Sequence, residues 1–165
     1  MIRSARTLVP AFLLCSLLAA CAEWPEQPPA EAAPAPLPAA AGDNLGEKAA
    51  ALVKQQVGTP YLFGGHSPKG FDCSGLVYYV YGRLDVSLPR TAESQFSHLP
   101  AVSLEALEPG DLVFFNGDPT GYMHVGIYIG GGWFVHAPGT GKTVSGARLD
   151  NVYWKAHFIG ATRPE

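Results

Sequence analysis

Hydrophobic and polar positions divide the chain into three stretches of different character. Leu8 to Ala20 is apolar except at Pro10 and Ser16. Residues 22–42 carry six prolines and eight alanines and almost nothing from which a core can be built. From residue 43 regular spacing begins. Asn44-Leu45-Gly46-Glu47 has the form of a capping box, and Leu45, Ala49, Leu52 and Gln56 follow at helical spacing until Gly58 and Pro60 stop a first helix. Tyr61 to Gly70 is rich in Gly and Pro and reads as loop. Asp72 is a good N-cap for a second helix, with Cys73-Ser74-Gly75 in its first turn, Leu76, Val77, Val80 and Tyr81 as its apolar set and Gly82 at its end. Residues 91–98 predict a short third helix.

At Asp111 the period changes. Leu112 to Phe115 reads as a buried strand, His124 to Ile129 alternates, and Gly130-Gly131-Gly132 separates it from Trp133 to Ala137 in the pattern of a hairpin. Lys142 to Ala147 and His157 to Ala161 are further strand candidates. Helices first and antiparallel strands afterwards predict an α+β domain. A three-residue turn would pair Ile129 with Trp133, set Gly126 across from His136 and leave His124 diagonal to it on the same face, over the space that Gly126 leaves. A two-residue turn would send the two imidazoles to opposite faces.

The composition bounds what such a domain can be. At 165 residues, 47% apolar and 15% charged, the chain suits one globular domain and excludes a multidomain enzyme. The formal net charge is −3 and the 11 Lys and Arg are scattered singly, so no basic patch for nucleic acid is present. Arg3 and Arg6 before the apolar stretch give residues 1–20 the layout of a secretory signal peptide, too short to span a bilayer. Its end, Leu18-Ala19-Ala20-Cys21, resembles the lipobox of bacterial lipoproteins, in which the Cys is acylated and becomes the mature amino terminus. Residues 21–42 then read as a lipidated Cys and a semi-extended Pro/Ala-rich tether, and residues 43–165 as the folded domain. With Cys15 in the signal and Cys21 carrying lipid, the exported chain keeps one thiol, Cys73, and no internal disulfide is possible.

That thiol sits where chemistry is expected. A helix amino terminus offers unsatisfied N–H groups and the positive end of the dipole, so this reading expects Cys73 to ionise readily. A base within reach and a third group to orient it would complete a nucleophilic site, and His124 and His136 can supply both. Taken singly, Cys73 also fits a small buried hydrophobe and His124 a satisfied strand histidine. One Cys and two His are also plausible zinc ligands, though 51 residues separate Cys73 from His124 and 12 separate the histidines.

Four motifs resolve the choice by resemblance. Pro60-Tyr61-x-x-Gly64-Gly65, Asp72-Cys73-Ser74-Gly75-Leu76-Val77, His124-Val125-Gly126-Ile127-Tyr128-Ile129-Gly130 and Phe134-Val135-His136-Ala137 together resemble the NlpC/P60 family of cell-wall cysteine peptidases, over about Asn44 to Arg163. Within it the pattern is most similar to the Spr-type lipoprotein endopeptidases. The resemblance implies a papain-like α+β fold with a nucleophile-bearing helix packed on an antiparallel sheet. It implies peptidoglycan stem peptides as substrate, cut at D-γ-glutamyl-diaminopimelate or at the D,D cross-link, with neither metal nor organic cofactor. By motif, Cys73 would be the nucleophile, His124 the general base and His136 the orienting residue. Tyr61 and the Cys73 amide would stand near the oxyanion. Asp72 and Ser74 would line the groove, although a helix cap and a first-turn filler explain them equally. Arg90 reads as structural or as groove rim, and His66, His98 and His157 as surface or packing residues, with His66 near enough to Tyr61 to border the groove. Cys21 as lipid anchor, followed by Ala22 rather than Asp, implies an outer-membrane lipoprotein facing the periplasm. Two other readings stay open: a wall-binding scaffold without activity, and a lipid acyltransferase on the same fold. Any protein adaptor is left unspecified.

Overall fold

A computed structural model describes residues 44–116 and 121–165. The signal segment, Cys21 and the tether lie outside the described residues. The first helix, α1 (Leu45–Lys54), is capped by Asn44, whose side chain accepts from the Gly46 N–H rather than closing the box at residue 47. Its buried face is Ala49, Ala50 and Val53, one position round from the Leu52 and Gln56 stripe expected, because small residues let the helix lie close against the sheet. A two-stranded hairpin, β1 (His66–Ser67) and β2 (Gly70–Phe71), occupies what the sequence presents as loop. Helices α2 (Cys73–Gly82) and α3 (Ala92–His98) stand where expected.

The remaining strands are β3 (Ala101–Val102), β4 (Leu112–Phe115), β5 (His124–Gly130), β6 (Trp133–His136), β7 (Ser145–Arg148) and β8 (Phe158–Thr162), with a short helix α4 (Val152–His157) running straight into β8. Among the described residues they form one antiparallel sheet in the order β3-β8-β4-β5-β6-β7. Leu112, Phe114, Val125, Ile127 and Val135 pack with α1 and α2 on one face. Val113, Phe115, Phe134 and Ala147 form a second cluster on the other, covered by Trp154 of α4 and by Phe158. Expected strand Lys142 to Ala147 begins only at Ser145. Its first half pairs instead with the chain before β1, where the Tyr61 N–H donates to the Lys142 carbonyl at 2.9 Å and Val144 exchanges backbone bonds with Gly58 and Thr59. No helix among the described residues is long and apolar enough to cross a membrane.

The β5–β6 turn departs from expectation in an instructive way. Gly130 pairs with Trp133, so the turn has two residues, Gly131 and Gly132, both at positive φ. Such a turn alone would separate the histidines. A bulge between Tyr128 and Gly130 absorbs one residue and restores the phase, so that Tyr128 pairs with Phe134 and Ile127 with Val135. The space across from Gly126 is not open: a Cβ there would come 2.5 Å from the Phe134 ring.

Helix α2 docks by a close approach. A Cβ on Gly75 would lie 2.0 Å from the Gly65 carbonyl oxygen and 3.0 Å from the Arg90 guanidinium, whereas one on Gly82 would meet nothing within 4 Å. Gly75→Ala is therefore expected to destabilise the fold by about 3 kcal/mol, seen as a lower urea midpoint at unchanged slope. Gly82→Ala in the same assay should be neutral or stabilising by up to about 1 kcal/mol.

Candidate active site

Asp72 organises the start of α2. Its Oδ1 accepts from the Gly75 N–H at 2.6 Å and from the Ser74 hydroxyl at 3.3 Å. Arg90 donates to both carboxylate oxygens, at 2.9 and 2.5 Å, to Ser74 Oγ at 3.0 Å and to the Gly65 carbonyl at 3.3 Å. Buried Gln95 on α3 donates to the Ser74 and Pro89 carbonyls, tying the Arg90 segment to the same turn. Asp72, Ser74 and Arg90 thus form one ionic clamp that joins three chain segments beside Cys73: the Gly65 loop, the start of α2 and the Arg90 segment. The expectation that Arg90 is structural or rim is met on both counts, since it also lines the groove.

Cys73, the first residue of α2, is half-buried against the opening of β5, where the Val125 N–H points at its sulfur. Burial pushes its thiol up to about 11, and the neighbouring Asp72 carboxylate adds to the rise. The Val125, Ser74 and Cys73 amides pull the other way but are outweighed. The helix terminus favours the thiolate and burial opposes it, so ionisation depends also on a base within reach.

The histidines issue from the sheet face opposite α2. His124 Nε2 and His136 Nδ1 are 2.7 Å apart. His136 is 3% exposed, and burial first, then the charges of His124 and Lys142, hold it well below the usual imidazole range. It is therefore neutral, and for His124 Nε2–H to donate to its Nδ1 its own proton must sit on Nε2. Phe115, Phe134 and Trp154 surround the pair, with the Trp154 indole stacked on His124 at 5.6 Å between centroids and 27° between planes. No motif or spacing along the chain points to Trp154. Its helix is one and a half turns long and its Val-Tyr-Trp start lacks helical patterning.

A groove of about 1000 Å³ runs over the site, lined by Tyr61, Cys73, Ser74, Arg90, His124 and Trp154 among others. Tyr61, held by the Lys142 backbone, faces it from the wall beside Cys73. His66 lies on the same wall, edge-on to Tyr78 at 6.1 Å. His98 and His157 bond within their own helices, to the Ser94 and Tyr153 carbonyls, away from the groove. Among the described residues no three His, Cys, Asp or Glu side chains are grouped so as to hold a metal ion.

A helix-borne thiol, a hydrogen-bonded pair of histidines and a groove above them are set out on a papain-like α+β frame. The family model described as NlpC/P60 family matches residues 58–163. The chain belongs to the NlpC/P60 family. It is 43% identical over 125 residues to the probable endopeptidase YafL of Escherichia coli (strain K12), covering 73% of this chain and 50% of that protein. It is 46% identical over 114 residues to the murein DD-endopeptidase MepH of the same strain, covering 66% and 42%. The NlpC/p60 domain of the peptidoglycan hydrolase SagA superposes with a TM-score of 0.61 at 36% identity, over 71% of this chain and 97% of that one. An NlpC/P60 family protein from Bacillus cereus gives a TM-score of 0.67 at 33% identity, over 72% and 40%. The chain spans half or less of the length of the first curated relatives it matches.

The neutral state of His136 carries a stability consequence. The unfolded chain protonates this side chain near 6.5, the folded one only well below it. Between those points unfolding takes up a proton, so stability is full above about pH 6.5 and is lost as the pH falls through the window. His136→Asn is expected to flatten this acid limb in melts recorded between about pH 5 and 8. An acid limb unchanged in the variant would assign it to other groups.

Proposed function

We propose that this NlpC/P60 domain is a peptidoglycan endopeptidase that hydrolyses stem-peptide or cross-link amide bonds, with Cys73 as nucleophile, His124 as general base and His136 as its orienting partner. The observation that carries this reading is the 2.7 Å contact between His124 Nε2 and His136 Nδ1 behind a groove that also holds Cys73. Relatives named as murein and peptidoglycan endopeptidases support the substrate class.

The chemistry follows from the geometry. His124 Nδ1 takes the thiol proton while its Nε2–H stays bonded to His136, which keeps the ring from turning. Because burial raises the Cys73 thiol, this transfer is what would make the nucleophile. The thiolate attacks the amide carbonyl, and the new oxyanion is met by the Cys73 N–H and by Tyr61 on the adjoining wall. Collapse breaks the C–N bond, and His124 returns its proton to the leaving amine. Water, deprotonated by His124, then hydrolyses the thioester and frees Cys73. Asp72 and Ser74 act here chiefly as the clamp that fixes the nucleophile turn, with Arg90 presenting the rest of its guanidinium to the groove.

The anchor completes the proposal. Acylated at Cys21 and joined to that anchor by the Pro-rich residues 22–42, the domain would work on the wall from the periplasmic side of the outer membrane.

Digestion of purified peptidoglycan with product masses resolved tests the reading. Cys73→Ala should abolish cleavage, and His124→Ala should lower the rate by about 10²–10⁴-fold. The masses of the released muropeptides name the bond. Cleavage that survives in Cys73→Ala would refute the thiol mechanism.

A further inference from the structure

Trp154 does more around the histidines than packing demands. Helix α4 leaves Val152 86% exposed and Tyr153 48% exposed, and buries no residue completely. Its inward anchor is Trp154, pinned edge-on to Phe134 at 5.2 Å, Phe115 at 4.7 Å and Tyr153 at 5.0 Å. The same indole lies flat on His124 at 5.6 Å and edge-on to His136 at 4.9 Å and 86°, while forming part of the groove lining. It covers both partners of the 2.7 Å bond at once.

We propose that Trp154 is a positioning residue for the thiol chemistry, its indole face holding His124 in line with His136 and stabilising the imidazolium formed when the Cys73 proton arrives. The inference rests on the reading of Cys73 and His124 as the reacting pair. Its physical basis is charge. A carboxylate third member would stabilise the imidazolium directly, whereas His136 is a neutral, buried imidazole and contributes only a hydrogen bond. An indole face is the strongest aromatic partner for a cation, and strongest where water is kept away. The other charged group that acts on the pair is Lys142 before β7, and Tyr153 on α4 meets the indole; both are retained in the variants below.

The test uses the full chain and reads two quantities: the rate of Cys73 alkylation by iodoacetamide at neutral pH, and kcat and KM on peptidoglycan. Trp154→Leu should slow alkylation and lower kcat by about tenfold with KM within about twofold, and Trp154→Phe should recover most of the loss. Melting curves establish which variants are folded. If Trp154→Leu is not, fluorinated tryptophan incorporated throughout the chain weakens the ring face at nearly constant volume. It should slow alkylation several-fold in the native sequence and leave the Trp154→Phe background unchanged. A folded Trp154→Leu or a fluorinated chain that alkylates at the native rate overturns the proposal. Should alkylation ignore Trp154→Leu but respond to His124→Ala, this inference alone falls; should it ignore both, the reacting pair falls with it. An alkylation contrast that persists in a chain unable to cleave peptidoglycan would uphold Trp154 while refuting the substrate.

Discussion

The 2.7 Å hydrogen bond between His124 and His136 sets the terms for everything around it. Two side chains on neighbouring antiparallel strands meet only if both point to the same face, and a slip of one residue sends one of them to the far side of the sheet. The two-residue Gly131-Gly132 turn by itself produces that slip. The bulge before Gly130 cancels it, so turn and bulge work as one device. Phe115, Phe134 and Trp154 then enclose the pair on the outer face, where a neutral His136 can persist. Cys73 arrives from the opposite side, on a helix packed against the inner face. The two halves of the site meet at the first residues of β5, with His124 turned outward and the Val125 amide reaching the Cys73 sulfur.

Charge in this arrangement is distributed so that no single group is reactive alone. Cys73 is held as a thiol by burial and by Asp72, and Asp72 is itself tied to Arg90 in a pair that is only partly shielded from solvent. That ion pair does its work through direction rather than strength: the carboxylate caps α2, and the guanidinium joins the cap to the Gly65 carbonyl and to Ser74. A second ion pair, Arg163 with the buried Asp111, secures the end of the chain beside β4 and leaves the site untouched. The outcome is a rigid frame around the Cys73 thiol, for which the proposed mechanism makes His124 the proton acceptor.

Much of this was legible from local signals. Asp72 as cap, Cys73 at the first position of α2, the strands that open at Leu112 and His124 and the shared face of the two imidazoles all follow from short-range pattern, and the structure keeps them. What escaped depends on groups distant in sequence or on a competition between terms. The His register came out correctly for the wrong reason, because a bulge has no composition of its own when three glycines surround it. Helix α4 escaped because Asn151 caps six residues whose packing runs through one indole, and Val-Tyr-Trp favours a strand reading. Arg90 reaches Asp72 across 18 positions, a pairing that no local motif announces. For the thiol, the favourable dipole is visible in a helix start, whereas the desolvation opposing it belongs to the packed site.

Direct titration of the Cys73 thiolate, by its ultraviolet absorbance or by the shift of a ¹³C-labelled β-carbon, in the native chain and in His124→Ala, tests the central claim that proton transfer to His124 creates the nucleophile. The account predicts that the thiolate forms at a lower pH in the native protein than in His124→Ala, where no imidazole is left to take the proton. Thiolate formation at the same pH in both proteins would contradict it.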